Sequence, residues 1–264
     1  MVANETLACA KCNTSYPVAN GKIYFVTPPE HNTRSSNIKH KLRKILGRRY
    51  NDAVRLLGPG FPINKRRLLL DQINPSTNLV VDLGSGTERV APGVVTVDLF
   101  DYPEVDIVCD LRYLPFQRES VDGFMTTSVL EHLEHPDRLL EKIFDCTRPG
   151  GIGVHSFPFL FPFHEAPGDF TRYTHAGAAI LFARWTVKKL FNVTGPISAL
   201  NTVAVEFAST LLSCGNGKIK EGMYLVFGAM LSPLKYLDAF FVDKASFLSV
   251  SAMLCAVVEK PSRN

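Results

Sequence analysis

The alternation of apolar and polar positions divides this chain into three stretches. Between about residues 79 and 156, short apolar runs at 79–83, 94–97, 105–109, 120–128 and 152–156 are separated by glycine, proline and acidic residues. Such runs, rich in valine and bounded by turn residues, read as buried β-strands. Only 136–144 in this stretch has helical spacing, with Leu139, Leu140 and Ile143 on one face. The connections at 87–93 and 100–104 are shorter than the ~10–12 residues that a crossover between parallel strands normally takes. The pattern predicts a mostly parallel α/β sheet in which two early crossover helices are reduced to turns. One sheet face then needs cover from the helices before or after the sheet, or from a partner subunit.

Before this stretch, residues 7–26 form a small unit with an apolar strand at 23–26, and 31–51 reads as a basic amphipathic helix. That helix carries Arg34, Lys39, Lys41, Arg43, Lys44, Arg48 and Arg49 without an acidic residue, with Ile38, Leu42, Ile45 and Leu46 on one face. Asn64 is placed to cap a short helix that runs through Gln72. After the sheet, 201–212 and 223–241 read as helices and 250–259 as a last strand. The division predicted is 1–30, 31–75 and 76–264, with a helical insertion at about 198–245.

Composition narrows the class. Hydrophobic residues make up 46% of the 264 and charged residues 20%, as in a folded globular protein, and a net charge of +4 does not by itself imply nucleic acid. The six cysteines are scattered apart from Cys9 and Cys12, which suits a reducing cytoplasm better than a disulfide framework. Cys9-x-x-Cys12 is half of a zinc site and no second pair follows, so a metal-free remnant is the first expectation, with zinc held by an incomplete ligand set as the alternative. No uncharged apolar run reaches the length of a membrane span, and Lys235 and Asp238 interrupt the most apolar helix.

The chemistry starts at Asp82-Leu-Gly84-Ser85-Gly86. Asp82 ends the first strand of the sheet, where open α/β sheets bind ligands. Gly84 and Gly86 allow a sharp turn and a close backbone approach. Asp98, at the end of the next strand and followed by Leu99, is placed to accept hydrogen bonds from two adjacent ribose hydroxyls. A nicotinamide fingerprint would need a third glycine, and Arg89 stands there instead.

This pairing resembles the cofactor site of class I S-adenosylmethionine (SAM)-dependent methyltransferases of the type 11-like kind. The resemblance implies a Rossmann-like sheet and SAM as cofactor. It assigns the cofactor to Asp82, Gly84, Ser85, Gly86, Asp98 and Leu99, with Asp110 and Leu111 at the adenine and Ser128 and His132 at the methionine end. His132 is read as a pocket wall and His135 as surface. Residues 7–26 resemble the short zinc-ribbon-like module, related to a small methyltransferase-activating protein, that precedes some bacterial methyltransferases.

The loop at 157–174 holds three prolines and five phenylalanines, with His164, Glu165, Asp169 and Arg172 among them. It resembles a loop in a bacterial subset of these enzymes associated with glycan and cell-envelope synthesis. Methyl transfer from a sulfonium chiefly requires alignment of the nucleophile and, for a hydroxyl, removal of its proton. His164 is the candidate general base and Asp169 its orienting group; Arg172, Tyr173 and Glu165 are candidate substrate contacts. A purely structural Asp169–Arg172 pair that fixes the loop is the competing reading.

The function expected is O-methylation of a sugar, glycan or related envelope precursor, with no nucleic-acid partner. The Asn/Asp-Pro-Pro-Tyr of many base methyltransferases is absent after the fourth strand of this sheet. A non-catalytic SAM-binding scaffold is the alternative, and peripheral membrane contact and a homodimer stay open.

Overall fold

The computed structural model describes residues 5–10, 12–29, 42, 44–164 and 168–262. Most of the basic stretch at 31–43, and Glu165, lie outside the described residues. Ten strands form one sheet, in the order β1-β2-β3-β6-β5-β4-β7-β8-β10-β9. They are β1 (Glu5–Ala8), β2 (Ser15–Ala19), β3 (Lys22–Tyr24), β4 (Val80–Leu83), β5 (Val94–Asp98), β6 (Ile107–Val108), β7 (Val121–Thr127), β8 (Thr147–Pro158), β9 (Thr186–Thr194) and β10 (Met253–Glu259). From β3 to β8 the neighbours run parallel; β10 is antiparallel to both β8 and β9. The chain leaves β4 toward β5 on one side and later returns to β7 on the other. This reversal of strand order opens a crevice at the carboxyl ends of β4 and β7.

Among the described residues the sheet is accompanied by the helices α1 (Tyr50–Leu57), α2 (Lys65–Leu70), α3 (Pro136–Cys146), α4 (His175–Leu181), α5 (Pro196–Leu212) and α6 (Gly217–Leu231). As expected from their length, the connections after β4 and β5 contain no helix. A polar knot stands in their place. Arg89 donates to Asp106 Oδ1 and Oδ2 (2.7 and 2.8 Å) and to the carbonyls of Val94 (2.6 Å) and Glu104 (3.1 Å). Asp106 in turn accepts from the Thr96 backbone and hydroxyl, both at 2.9 Å. The residue that spoils the nicotinamide fingerprint therefore ties the two shortened crossovers to each other.

The face left short of helices is covered from both ends of the chain. Val80, Val94, Met125, Val154 and Cys255 pack there against Leu69 of α2 and Ala199 of α5. The opposite face holds Val81, Leu83, Phe124 and Phe157 under Leu139, Leu140 and Ile143 of α3 and Ala178 of α4. His155 belongs to this second core. It is fully buried, shares a hydrogen bond with Thr126 Oγ1 (2.9 Å) and stacks on Phe182, and burial lowers its pKa to about 3.

The N-terminal unit is more regular than the sequence pattern suggested. β1–β2–β3 is an antiparallel meander, and β3 adds in parallel to β6, so the unit continues the main sheet and covers what would be an open edge. Ala19 and Tyr24 pack on Val105 and Val108, and Asp101 accepts from Lys22 (2.7 Å) and Tyr24 (3.0 Å). β1 is exposed along its whole length, which is why periodicity alone did not reveal it.

The predicted helix at 223–241 is two pieces. α6 stops at Leu231 because Pro233 has no N–H to continue it, and a 3-10 segment, Ser232–Phe240, follows. Both charged residues of that segment are buried caps. Lys235 donates to the carbonyls of Arg55 (2.5 Å), Leu56 (2.9 Å) and Gly58 (2.8 Å) at the carboxyl end of α1. Asp238 accepts from Ile197 N (2.9 Å) and Ser198 N (2.8 Å) at the start of α5. Each charge sits at the helix end whose dipole it complements. Among the described residues no helix is long and apolar enough to cross a membrane.

Replacing Lys235 with Met keeps the packing of its stem but leaves three carbonyls without their cation. Each buried hydrogen bond to a charged group contributes about 1.5–3 kcal/mol, so the expected loss is about 3 kcal/mol after relaxation. Urea unfolding of Lys235→Met checks this; a loss under about 1 kcal/mol would mean that desolvation of the ammonium cancels its bonds.

Candidate functional site

The turn after β4 is set by two glycines in the left-handed region, with φ of 69° at Gly84 and 66° at Gly86. At Gly84 a Cβ would collide with the Val129 side chain, so the segment after β7 could not close over the turn with any larger residue there. At Gly86 nothing lies within 4 Å of where a Cβ would stand, so the turn borders open space. Val97 O accepts from both Gly84 N (2.8 Å) and Ser85 N (3.1 Å). Asp98 closes the arrangement by accepting from Gly86 N and Phe100 N, each at 2.9 Å.

A cavity of about 470 Å³ runs along Gly84, Ser85, Gly86, Tyr102, Thr127 and Ser128, within the ~300–1,000 Å³ range of small-molecule sites. α1 borders it: Asn51 Nδ2 donates to Thr87 Oγ1 (3.3 Å) and Glu88 Oε1 (3.0 Å), and Arg55 to Glu88 Oε2 (2.5 Å). Burial pushes Asp82 up to about 7, opposed by Lys65 and reinforced by Asp98. A larger cleft of about 890 Å³ opens beside α2 and β9; unlike the smaller cavity it does not touch the Gly84–Gly86 turn, and Asp82 and Asp98 line neither.

Asp110 follows β6 and caps the turn Leu111–Tyr113 by accepting from Arg112 N (2.9 Å); its carboxylate also pairs with the Arg112 guanidinium. Leu111 is partly buried against the core. Leu99 is half-buried beside Asp98. Ser128 adopts φ 53° at the end of β7 and donates its N–H to Ser156 O (3.0 Å), aiming the following residues across the strand ends.

Those residues include one that the sequence analysis passed over. Glu131 is 1% exposed, and neither carboxylate oxygen has a hydrogen-bond partner. His132 and His164 flank it, each with Nε2 3.9 Å from Glu131 Oε1, and their rings stand edge to face with centroids 5.2 Å apart. Burial raises Glu131 to about 7 and lowers His164 below the usual imidazole value. Local pattern could not reveal Glu131, because in sequence it is one polar residue after Val129-Leu130; only the return of the 157–174 loop buries it. His135 is exposed, as expected.

The loop is pinned on this segment. Phe170 N donates to Glu131 O (2.7 Å), and His132 Nδ1 bonds Gly168 O. Within the loop, Asp169 has no exposed side-chain surface and accepts from both Arg172 terminal nitrogens and from His164 N (2.7 Å). This holds its carboxyl at about 2, chiefly through Arg172. Arg172 spends its remaining donors on Phe161 O (3.2 Å), Pro162 O (3.0 Å) and Thr171 O (2.9 Å). The Asp169–Arg172 pair is thus an internal clamp that positions His164. Tyr173 packs edge-on against Phe157 in the core. Among the described loop residues, His164 reaches Glu131 with its imidazole.

Cys9 and Cys12 lie on the turn between β1 and β2, where Asn13 N donates to Cys9 O (2.8 Å) and Cys12 Sγ to Thr14 Oγ1 (3.2 Å). Both are free thiols.

Residues 81–154 match the family described as "Methyltransferase domain". An uncharacterized methyltransferase of Mycobacteroides abscessus is 36% identical over 77 residues, 29% of this chain and 29% of that protein. One from Mycolicibacterium gilvum is 46% identical over 55 residues, 20% and 22% of the two chains. The matched stretch thus spans less than a third of these curated relatives. Among solved structures, phosphoethanolamine N-methyltransferase 2 of Haemonchus contortus in complex with S-adenosyl-L-methionine superimposes with a TM-score of 0.52 at 15% identity, over 88% of this chain and 59% of that one. A putative sarcosine dimethylglycine methyltransferase from Galdieria sulphuraria gives 0.50 at 11% identity, over 76% and 86%. These likenesses show the fold.

The site fits SAM. Gly86 borders empty space, the Asp98 carboxylate anchors the glycine turn through Gly86 N, and Asp82 and Asp98 bring carboxyl groups toward a ligand that carries an ammonium and a sulfonium. The substitution Asp98→Asn keeps one oxygen for Gly86 N and removes the charge that would grip the ribose. Calorimetry with S-adenosylhomocysteine is expected to show binding weakened by about 100-fold, the equivalent of one or two charge-assisted hydrogen bonds. Unchanged affinity would remove Asp98 from the site.

Proposed function

We propose that the class I SAM-dependent methyltransferase domain of this chain moves the cofactor's methyl group to a hydroxyl oxygen of a small polyhydroxylated acceptor, of the sugar or glycan type. The observation that carries the reading is the convergence of Glu131, His132 and His164 at the end of β7, beside the strand ends that form the cofactor cavity. Transfer from a sulfonium is an in-line displacement, so the protein has to place the acceptor oxygen and take its proton. His164 carries the exposed part of the cluster and receives that proton; Asp169, through the backbone of His164, acts as a positioning residue.

The acceptor class is supported by the walls of the loop. Leu160, Phe163 and Phe170 are exposed there, and aromatic surfaces of this kind pack on the C–H faces of sugars. α5 and α6 further expose Leu200, Val203, Phe207, Val226 and Met230, an apolar surface that suits a lipid-linked acceptor at a membrane face.

The test is formation of S-adenosylhomocysteine from SAM with free sugars, sugar nucleotides and polyprenyl-linked saccharides as acceptors. Turnover is expected with one of these classes, and His164→Ala should lower kcat by ~10²–10⁴ with S-adenosylhomocysteine affinity retained. Cofactor binding without turnover on any of them, or an indifferent His164→Ala, would favour the scaffold.

A further inference from the structure

The geometry of Glu131, His132 and His164 points to a divalent metal site of the first transition row, held by Glu131 Oε1 and the Nε2 atoms of His132 and His164. One ligand atom from each of the three lies within 4.8 Å of the others, and both Nε2–Oε1 separations are 3.9 Å. Around an ion with bonds of about 2.0–2.2 Å, neighbouring ligand atoms stand roughly 3.4 Å apart in tetrahedral geometry. Small side-chain rotations close that difference.

The hydrogen bonds behind the cluster decide what faces its centre. His132 Nδ1 is turned to Gly168 O, a group that can only accept, so Nδ1 carries the hydrogen and Nε2 presents a lone pair. His164 Nδ1 faces Pro162 O at 3.3 Å and Asp169 Oδ2 at 3.5 Å. Arg172 Nη2 also lies 3.5 Å away, but it gives its two hydrogens to Pro162 O and Asp169 Oδ2. His164 is therefore fixed in the same tautomer. Two imidazole lone pairs and a carboxylate that makes no hydrogen bond of ordinary length then converge in a site closed to water on the Glu131 side. Lone pairs meeting with nothing between them repel; a cation among them turns the repulsion into bonds. Backbone carbonyls behind each imidazole are the outer contacts that metal-bound histidines characteristically make.

Two imidazoles and one carboxylate favour Zn²⁺, Mn²⁺, Fe²⁺ or Ni²⁺ over Mg²⁺ or Ca²⁺, which prefer all-oxygen sites. Three protein ligands leave positions open, and half-exposed His164 marks the side from which an acceptor enters. This deepens the proposed methyl transfer and rests on it for the role of the ion. An acceptor hydroxyl that reaches the ion is acidified, and its proton passes to solvent water. The oxygen then forms its bond to the methyl carbon as the carbon–sulfur bond breaks, and S-adenosylhomocysteine leaves neutral. In the metal-loaded enzyme His164 serves as a ligand, and the ion takes over the task of the free base.

The experiment reads the metal directly. The full-length Cys9→Ser/Cys12→Ser variant, which removes the only closely spaced thiols, is stripped with chelator and titrated with Zn²⁺ by calorimetry and with Co²⁺ by visible absorption. One equivalent per chain is expected, with Co²⁺ bands of nitrogen and oxygen ligation. Glu131→Gln and His164→Ala in the same background should each weaken uptake by about 100-fold. Both are expected to bind S-adenosylhomocysteine as the parent does, which shows that they fold. A parent that is folded by circular dichroism and takes up no metal at micromolar concentration overturns the site, and so does uptake indifferent to both substitutions. The two readings fail separately. Turnover without metal would leave His164 as a free base and the methyltransferase standing; metal uptake without cofactor binding would overturn the methyltransferase reading alone.

Discussion

The backbone at Gly84 and Gly86 governs what can be built on the strand ends. Both residues take a left-handed conformation that is strained for side-chain-bearing residues, and Val97 O and the Asp98 carboxylate hold the turn by accepting from three consecutive N–H groups. Because Gly84 has no Cβ, Val129 can lie directly on the turn. That contact brings the segment after β7, and with it Glu131 and His132, over the same crevice. The glycine turn and the polar cluster are thus coupled through the packing of Val129 on Gly84.

The sheet around this turn is stabilised differently from a fully wound one. Where crossover helices would bury the face beyond β4, the chain uses an Arg89–Asp106–Thr96 network for the connections and borrows α2 and α5 for cover. Edge protection comes from the N-terminal meander, which extends the sheet by three strands. The late helices are fastened by buried charges, Lys235 on α1 and Asp238 on α5, so that covering one face also fixes the helix that borders the cofactor cavity. Packing, edge and site are linked by residues far apart in sequence.

Much of this was legible locally. The strands of the α/β core, the missing crossovers, the cap at Asn64, and the glycine turn with Asp82 and Asp98 follow from periodicity and turn chemistry, which act over a few residues. What escaped depends on tertiary return. Glu131 gains its role only when the loop from β8 folds back over it. For Arg172 and Asp169 the sequence left two readings, substrate contact and orienting group or a structural pair; the folded loop bonds them to each other and to its own carbonyls. Lys235 reads as an interruption of an apolar helix, and its function as a cap requires a partner 180 residues away. Exposed β1 has no periodic signal at all.

If one crevice serves both the cofactor and the polar cluster, the reacting sulfur is directed at Glu131, His132 and His164. A crystal structure of the full chain with S-adenosylhomocysteine tests this. The ribose is expected on Asp98, the amino-acid end along the Gly84–Gly86 turn, and the sulfur facing the cluster across the space an acceptor would fill. A cofactor bound in the larger cleft beside α2 and β9, or a sulfur turned away from the cluster, would contradict it.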